Sequence, residues 1–158
     1  MAVDYYNAGM NYYERGKHSE ALAQLQTGSA QSDPRCDYAL AVMYYNGQGV
    51  ERDYSKSTHY YSIAADAGIL PALVSAGFAY ANAMGVAEDF DKAVGYLKKA
   101  VEMNDDAAKI TLAEIYAKGY EHGSIQEAAK MIKEVLLQGN SEEAMDVYTR
   151  YSLGNVRG

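Results

Sequence analysis

The feature that most constrains this chain is an internal period. The segments "NAGMNYYERG" (7–16), "ALAVMYYNGQGV" (39–50), "SAGFAYANAMGV" (75–86) and "TLAEIYAKGYEHG" (111–123) align on a small residue followed three positions later by tyrosine. The small residues are Gly9, Ala41, Gly77 and Ala113, and the tyrosines are Tyr12, Tyr44, Tyr80 and Tyr116. Both series are spaced by 32, 36 and 36 residues. A second series, Ala21, Ser57, Ala93 and Ala129, falls in register once the first unit is given a turn four residues shorter. A fixed period of this size means one supersecondary unit repeated, each copy burying the face its neighbour leaves open.

Each unit reads as helix, short loop, helix. Helices are expected near 3–14, 18–31, 35–46, 54–67, 71–82, 90–103, 106–117, 125–138 and 142–152. Pro34 and Pro71 stand where a helix begins, the place where a missing N–H costs least. Asp53 and Asp89 precede the second helices as caps, and Ser124 with Glu127 has the form of a capping box. Gly68, Gly139 and Asn140 fall near helix ends, where a left-handed residue is wanted. The expected organisation is one repeat domain over 1–158, with hairpins at about 3–34, 35–70, 71–105 and 106–140 and a cap at 141–158.

The second unit, "ALAVMYYNGQGVERDYSKSTHYYSIAADAG", carries Gly47, Gly49, Val50, Asp53, Lys56, Tyr60, Tyr61, Ala64, Ala65 and Gly68 at the positions that mark the Sel1-like repeat, and it resembles that family. The third unit keeps Gly77, Tyr80, Gly85, Val86, Asp89, Lys92, Ala93, Tyr96 and Ala100, with Ala83 and Asn104 in place of two glycines. The fourth keeps Ala113, Tyr116, Gly119 and Ala129. The first looks more like a tetratricopeptide repeat. The resemblance covers about residues 4–140. It implies an all-α fold, an α–α superhelix (solenoid) of about four helix-turn-helix repeats plus a C-terminal capping helix. In that family the concave groove binds other proteins and peptides. A cysteine-rich branch, with paired cysteines, is linked to penicillin binding; here Cys36 stands alone and no Ser-x-x-Lys motif occurs.

Composition removes several classes of function. With a net charge of −7 and no basic block, a sequence-independent nucleic-acid binder is disfavoured. No 18-residue apolar run and no leader-like start are present, so the expectation is a cytoplasmic protein with no membrane contact. A chain from which a leader had been removed would read the same way. His18, His59 and His122 lie in different units without metal-ligand spacing, so no metal, cofactor or catalytic set is expected. Cys36 opens a helix, where a thiol pKa can be lowered, yet it has no His or acid in motif context. Gly47-Gln48-Gly49 lacks the third glycine and the preceding strand of a dinucleotide fingerprint, and Gly85-Val86 recurs one period later. It reads as a turn. The acidic pairs Asp105-Asp106 and Glu142-Glu143 begin helices, where the dipole favours negative charge.

The 16 tyrosines separate into two sets. Tyr12, Tyr44, Tyr80 and Tyr116, with Tyr60 and Tyr96, follow the period and are expected between helices. On the first helices of tetratricopeptide-like units, positions three before, one after and four after the small residue face the groove. That rule selects Tyr6, Met10 and Tyr13, then Tyr38, Val42 and Tyr45, then Val74, Phe78 and Ala81, then Ile110, Glu114 and Ala117, with Asn46, Asn82 and Lys118 beside them. Tyrosine suits such a surface because it offers a rigid apolar body and a hydroxyl at low entropic cost. The candidate partner-binding set is Tyr6, Met10, Tyr13, Tyr38, Val42, Tyr45, Asn46, Phe78 and Asn82. The alternative is that Tyr6, Tyr38 and Tyr45 pack against one another with no ligand.

The functional expectation is a non-enzymatic module, an adaptor, chaperone or inhibitor-like protein, holding a protein or peptide partner in the groove as a monomer or weak homo-oligomer. A hydrolase related to the cysteine-rich branch and a self-associating structural protein are the alternatives. The acidic balance leaves a basic partner plausible.

Overall fold

Capping chemistry sets where the helices begin. In the computed structural model, which describes residues 2–157, the side chains of Asp53 and Asp89 accept the backbone N–H groups of Lys56 and Lys92, both at 2.9 Å. Asp33, Asp105 and Ser141 cap helices in the same way. Ser124 and Glu127 form the reciprocal capping box. Among the described residues there are nine α-helices and no strand. They are α1 (Tyr5–Glu14), α2 (His18–Ala30), α3 (Pro34–Asn46), α4 (Tyr54–Asp66), α5 (Leu70–Ala81), α6 (Phe90–Glu102), α7 (Asp106–Ala117), α8 (Ile125–Gln138) and α9 (Glu142–Arg150). The outermost positions of the expected domain, Met1 and Gly158, lie outside the described residues.

Three expectations are corrected. The first helix starts at Tyr5 rather than near residue 3, because Asp4 acts as its cap, accepting from Asn7 N–H at 3.1 Å. The ninth ends at Arg150, and Ser152 takes a left-handed backbone before a short 3₁₀ turn over Leu153–Asn155. Gly139 is extended, at φ 174°, and Asn140 is not left-handed either. Gly68 is left-handed as expected, at φ 85°, and Ser32 and Asn104, one period before and after it, share that backbone at 63° and 61°.

The chain divides into two compact units, Met1–Glu88 and Asp89–Gly158. In the first, α1 packs on α2, α2 on α3, α3 on α4 and α4 on α5. Its core joins Ala21, Leu25, Cys36, Ala39, Leu40 and Met43, flanked by partly buried Tyr5, Tyr6, Met10, Tyr12 and Tyr13. The small residues of the period are where helices touch. A methyl group on Gly9 would meet the Leu25 side chain at 2.7 Å. Ser57, in the second small series, is buried and donates its hydroxyl to the Ala41 carbonyl at 2.8 Å, so its polar atom is satisfied between α3 and α4. The α3–α4 loop turns through Gly47, at φ 68°, a conformation that costs a side-chain-bearing residue steric strain.

In the second unit, α6 packs on α7, α7 on α8, and α9 on both α7 and α8. Leu97, Ile132 and Leu153 are fully buried there. The ninth helix therefore lies on the last hairpin, burying Ala144 and Val147.

Candidate functional site

The recurring tyrosines divide between core and partial exposure. Tyr44 and Tyr116 are buried, while Tyr12, Tyr60, Tyr80 and Tyr96 are half-buried. Tyr44 stacks on Tyr60, ring centroids 5.8 Å apart and planes 9° from parallel. In the second unit Tyr116 stacks instead on Tyr120 of the following loop, at 6.0 Å and 3°. The Tyr120 hydroxyl donates to Asp91 at 2.6 Å, and that hydrogen bond raises the phenol pKa to about 12.

The candidate residues all fall in the first unit, on α1, α3 and α5 or at their ends. The candidate rings of α1 and α3, those of Tyr6, Tyr13, Tyr38 and Tyr45, each find their own partner. Arg35 lies 4.8 Å over the Tyr6 ring. Tyr38 packs tilted on Tyr61 at 5.8 Å, and burial raises its phenol pKa. Tyr45 packs on Tyr54 at 5.3 Å. Tyr13 tilts against His18 and donates its hydroxyl to Gln48 Oε1 at 3.0 Å, tying the end of α1 to the α3–α4 loop. Met10 and Val42 are half-buried. Tyr45 is 40% exposed and Phe78 is 46% exposed, each directly beside a buried residue of the period, Tyr44 and Gly77. Asn46 and Asn82, one period apart, are both exposed; Asn82 donates its side-chain N–H to the Phe78 carbonyl at 2.9 Å. In the second unit the corresponding positions are poorer in open apolar surface. Ile110 is buried, and Glu114 is occupied by ion pairs to Lys118 at 3.3 Å and Arg150 at 3.1 Å.

Two buried charged residues escaped the reading of the sequence. Asp37 is 3% exposed and Lys109 is 4% exposed. Asp37 accepts the Ser29 hydroxyl at 2.5 Å, joining α2 to α3, and burial raises its carboxyl pKa. Lys109 donates to Asn104 Oδ1 at 2.7 Å and lies 3.6 Å from Asp106 and 3.9 Å from Glu134. The period itself carried the signal: Asp37, Leu73 and Lys109 occupy one register position, and all three are buried. Cys36 reverses the expectation for a thiol at a helix start. It is fully buried against Gly28, and desolvation pushes the thiol up to about 12.

No group of three or more His, Cys, Asp or Glu residues able to hold a metal ion occurs among the described residues. No described helix is long and apolar enough to cross a membrane. What the first unit leaves open at these positions is aromatic surface at Tyr45 and Phe78 with the amides of Asn46 and Asn82 beside it.

A family model described as Sel1 repeat matches residues 34–69 and 71–105. Among solved structures the chain is similar to a Sel1 repeat protein from Oxalobacter formigenes, with 29% identity and a TM-score of 0.76, over 95% of this chain and 62% of that one. It is also similar to a protective antigen present in uropathogenic Escherichia coli strains and displaying an SLR fold, with 16% identity and a TM-score of 0.51, over 96% of this chain and 46% of the other. The second likeness concerns fold alone. The chain spans less than two thirds of the length of either neighbour.

Proposed function

Since this chain carries two Sel1 repeats, a fold typical of protein–protein interaction modules, we propose that it is a non-enzymatic binding module whose first unit holds an extended or helical segment of a partner protein. The observation that supports this most directly is the contrast between neighbours. Tyr44 is 8% exposed while Tyr45 is 40% exposed, and buried Gly77 is followed by Phe78 at 46%. The scaffold residue and the open aromatic alternate on consecutive first helices, as a binding face on a rigid frame requires. Large aromatic residues left open beside amides are the residue types that dominate binding energy at interfaces. The contact set is Tyr6, Met10, Tyr13, Tyr38, Val42, Tyr45, Asn46, Phe78 and Asn82. Adaptor, chaperone and inhibitor roles all use such a surface.

The test is selection of peptide binders from a displayed random library against the intact chain, followed by affinity measurement on Tyr45→Ala and Phe78→Ala. Each is expected to weaken the selected peptide at least about tenfold, as truncated aromatic hot spots do. Circular dichroism should show unchanged helicity. Binding that survives both substitutions overturns the assignment of this face.

A further inference from the structure

The loop after α3 and the first turn of α4 each hold a cation over a tyrosine ring. The Arg52 guanidinium lies 5.2 Å over the ring of Tyr54, and the Lys56 ammonium lies 5.3 Å over the ring of Tyr44. Both line one surface concavity of about 450 Å³. Neither forms an ion pair among the described residues, whereas Arg35, Lys109, Lys118 and Arg150 all do. Two carboxylates line the same hollow. Asp53 is engaged as the α4 cap, accepting the Lys56 backbone N–H at 2.9 Å, and Glu51 is exposed.

An aromatic face steers a cation without neutralising it or using up its N–H donors. The guanidinium therefore keeps its two-pronged donor edge, which matches the two oxygens of a carboxylate, and the ammonium adds a second positive charge. Holding both side chains over rings removes part of the ordering cost a ligand would otherwise meet. In a chain of net charge −7, such a site reverses the local preference toward an acidic group. It also adjoins the open aromatic surface, because the Tyr54 ring that carries Arg52 packs on Tyr45 at 5.3 Å. One period later the Arg52 position is Glu88, so this pairing of cations is not repeated there.

We infer that Arg52 and Lys56 form a carboxylate-binding notch that receives an acidic group of the partner segment seated against Tyr45. The inference rests on the reading of the first unit as a peptide-binding surface. It adds the chemistry and the register of the bound segment: an apolar or aromatic residue on Tyr45, then a carboxylate at the notch.

Three hexapeptides, each a four-residue core of leucine and tyrosine followed by two variable residues, test it on the intact chain. One is amidated and ends in two glutamates, one is amidated and ends in two glutamines, and one ends in two glutamines with a free terminal carboxylate. A carboxylate-bearing peptide is expected to bind at least about tenfold tighter than the amidated glutamine peptide, with the preference shrinking as salt rises. Which of the two wins names the source, side chain or chain terminus. Arg52→Gln should erase the preference, and Lys56→Gln should reduce it. Equal affinity for all three, or a preference that survives Arg52→Gln, overturns the notch and leaves the aromatic surface standing. If no peptide binds, the aromatic reading fails, and succinate decides the notch: a saturable shift of the Arg52 Nε–H resonance, lost on Lys56→Gln, supports it, and no shift overturns it.

Discussion

Ala83 lies one 36-residue period after Gly47, and the two share a left-handed backbone, at φ 53° and 68°. The repeat imposes the conformation even where it has lost the glycine that takes it without strain. An L-residue held there costs roughly 1–2 kcal/mol, and part of any gain from glycine returns as unfolded-chain entropy. Ala83→Gly is therefore expected to stabilise the protein by about 0.5–1 kcal/mol, read as a higher urea midpoint at constant slope. An unchanged or lower midpoint would show that the loop tolerates alanine without strain.

Two other glycines give opposite outcomes under the same substitution. Gly85 sits at φ 68°, and a methyl group there would collide with the backbone of Tyr54 and Ser55. Gly85→Ala combines the conformational penalty with a clash against atoms that cannot swing aside, and should cost more than about 2 kcal/mol. Gly95 is inside α6 with open space where a side chain would go. Gly95→Ala should stabilise by roughly 0.5–1 kcal/mol through helix propensity alone. Thermal melts of the two variants are expected to move in opposite directions.

Burial of Asp37 predicts a pH dependence whose sign can be worked out. Desolvation raises its carboxyl above the ordinary value of 3.8, helped by Asp33 and opposed by the Ser29 hydrogen bond and by His59. Between the unfolded and folded values the native state binds more protons than the unfolded chain. The stabilisation is present below 3.8 and is lost as pH rises through the folded value. Asp33, held low by Arg35, gives the opposite trend as pH falls. The informative comparison is therefore with Asp37→Asn, which keeps the shape and the acceptor for Ser29 but has no charge to bury. Its urea midpoint should exceed that of the parent at neutral pH and converge with it on acidification. Parallel curves for the two proteins would sink the account.

The architecture was readable because it is written redundantly. Spacing of small residues, caps at Asp53, Asp89 and Ser124, and prolines in first turns all carry local signals that agree with the repeat. What escaped the reading has no counterpart in the repeat or depends on contacts between residues distant in sequence. Asp4 is three residues before Asn7, yet its capping role had no repeat counterpart to announce it. Asp37 looks like an ordinary acidic residue in a first helical turn, and only alignment with Leu73 and Lys109 exposes it as an interior position. The Tyr13–Gln48 hydrogen bond spans 35 residues and reflects the turn geometry, not a pattern in either helix. The ring contacts of Arg52 and Lys56 had no sequence signal, because ring faces, unlike carboxylates, leave no sequence rule for pairing.

The sharpest separation of frame from surface lies within one dipeptide. Tyr44 is 8% exposed, stacked on Tyr60 and covered by Lys56. Removing its ring leaves a cavity in the α3–α4 contact, and Tyr44→Ala is expected to cost about 3 kcal/mol or more, in line with other buried aromatic deletions. Tyr45 keeps 40% of its surface open and packs tilted on Tyr54. Tyr45→Ala should cost less than about 1 kcal/mol of stability, as substitutions outside the core do. If this ring anchors a partner, the same change should weaken a bound peptide by about 2 kcal/mol, some thirtyfold in Kd. Measuring both quantities on both variants separates the roles. Tyr44→Ala should lose stability first, and Tyr45→Ala should lose affinity alone; equal stability losses from the two would place Tyr45 in the frame as well.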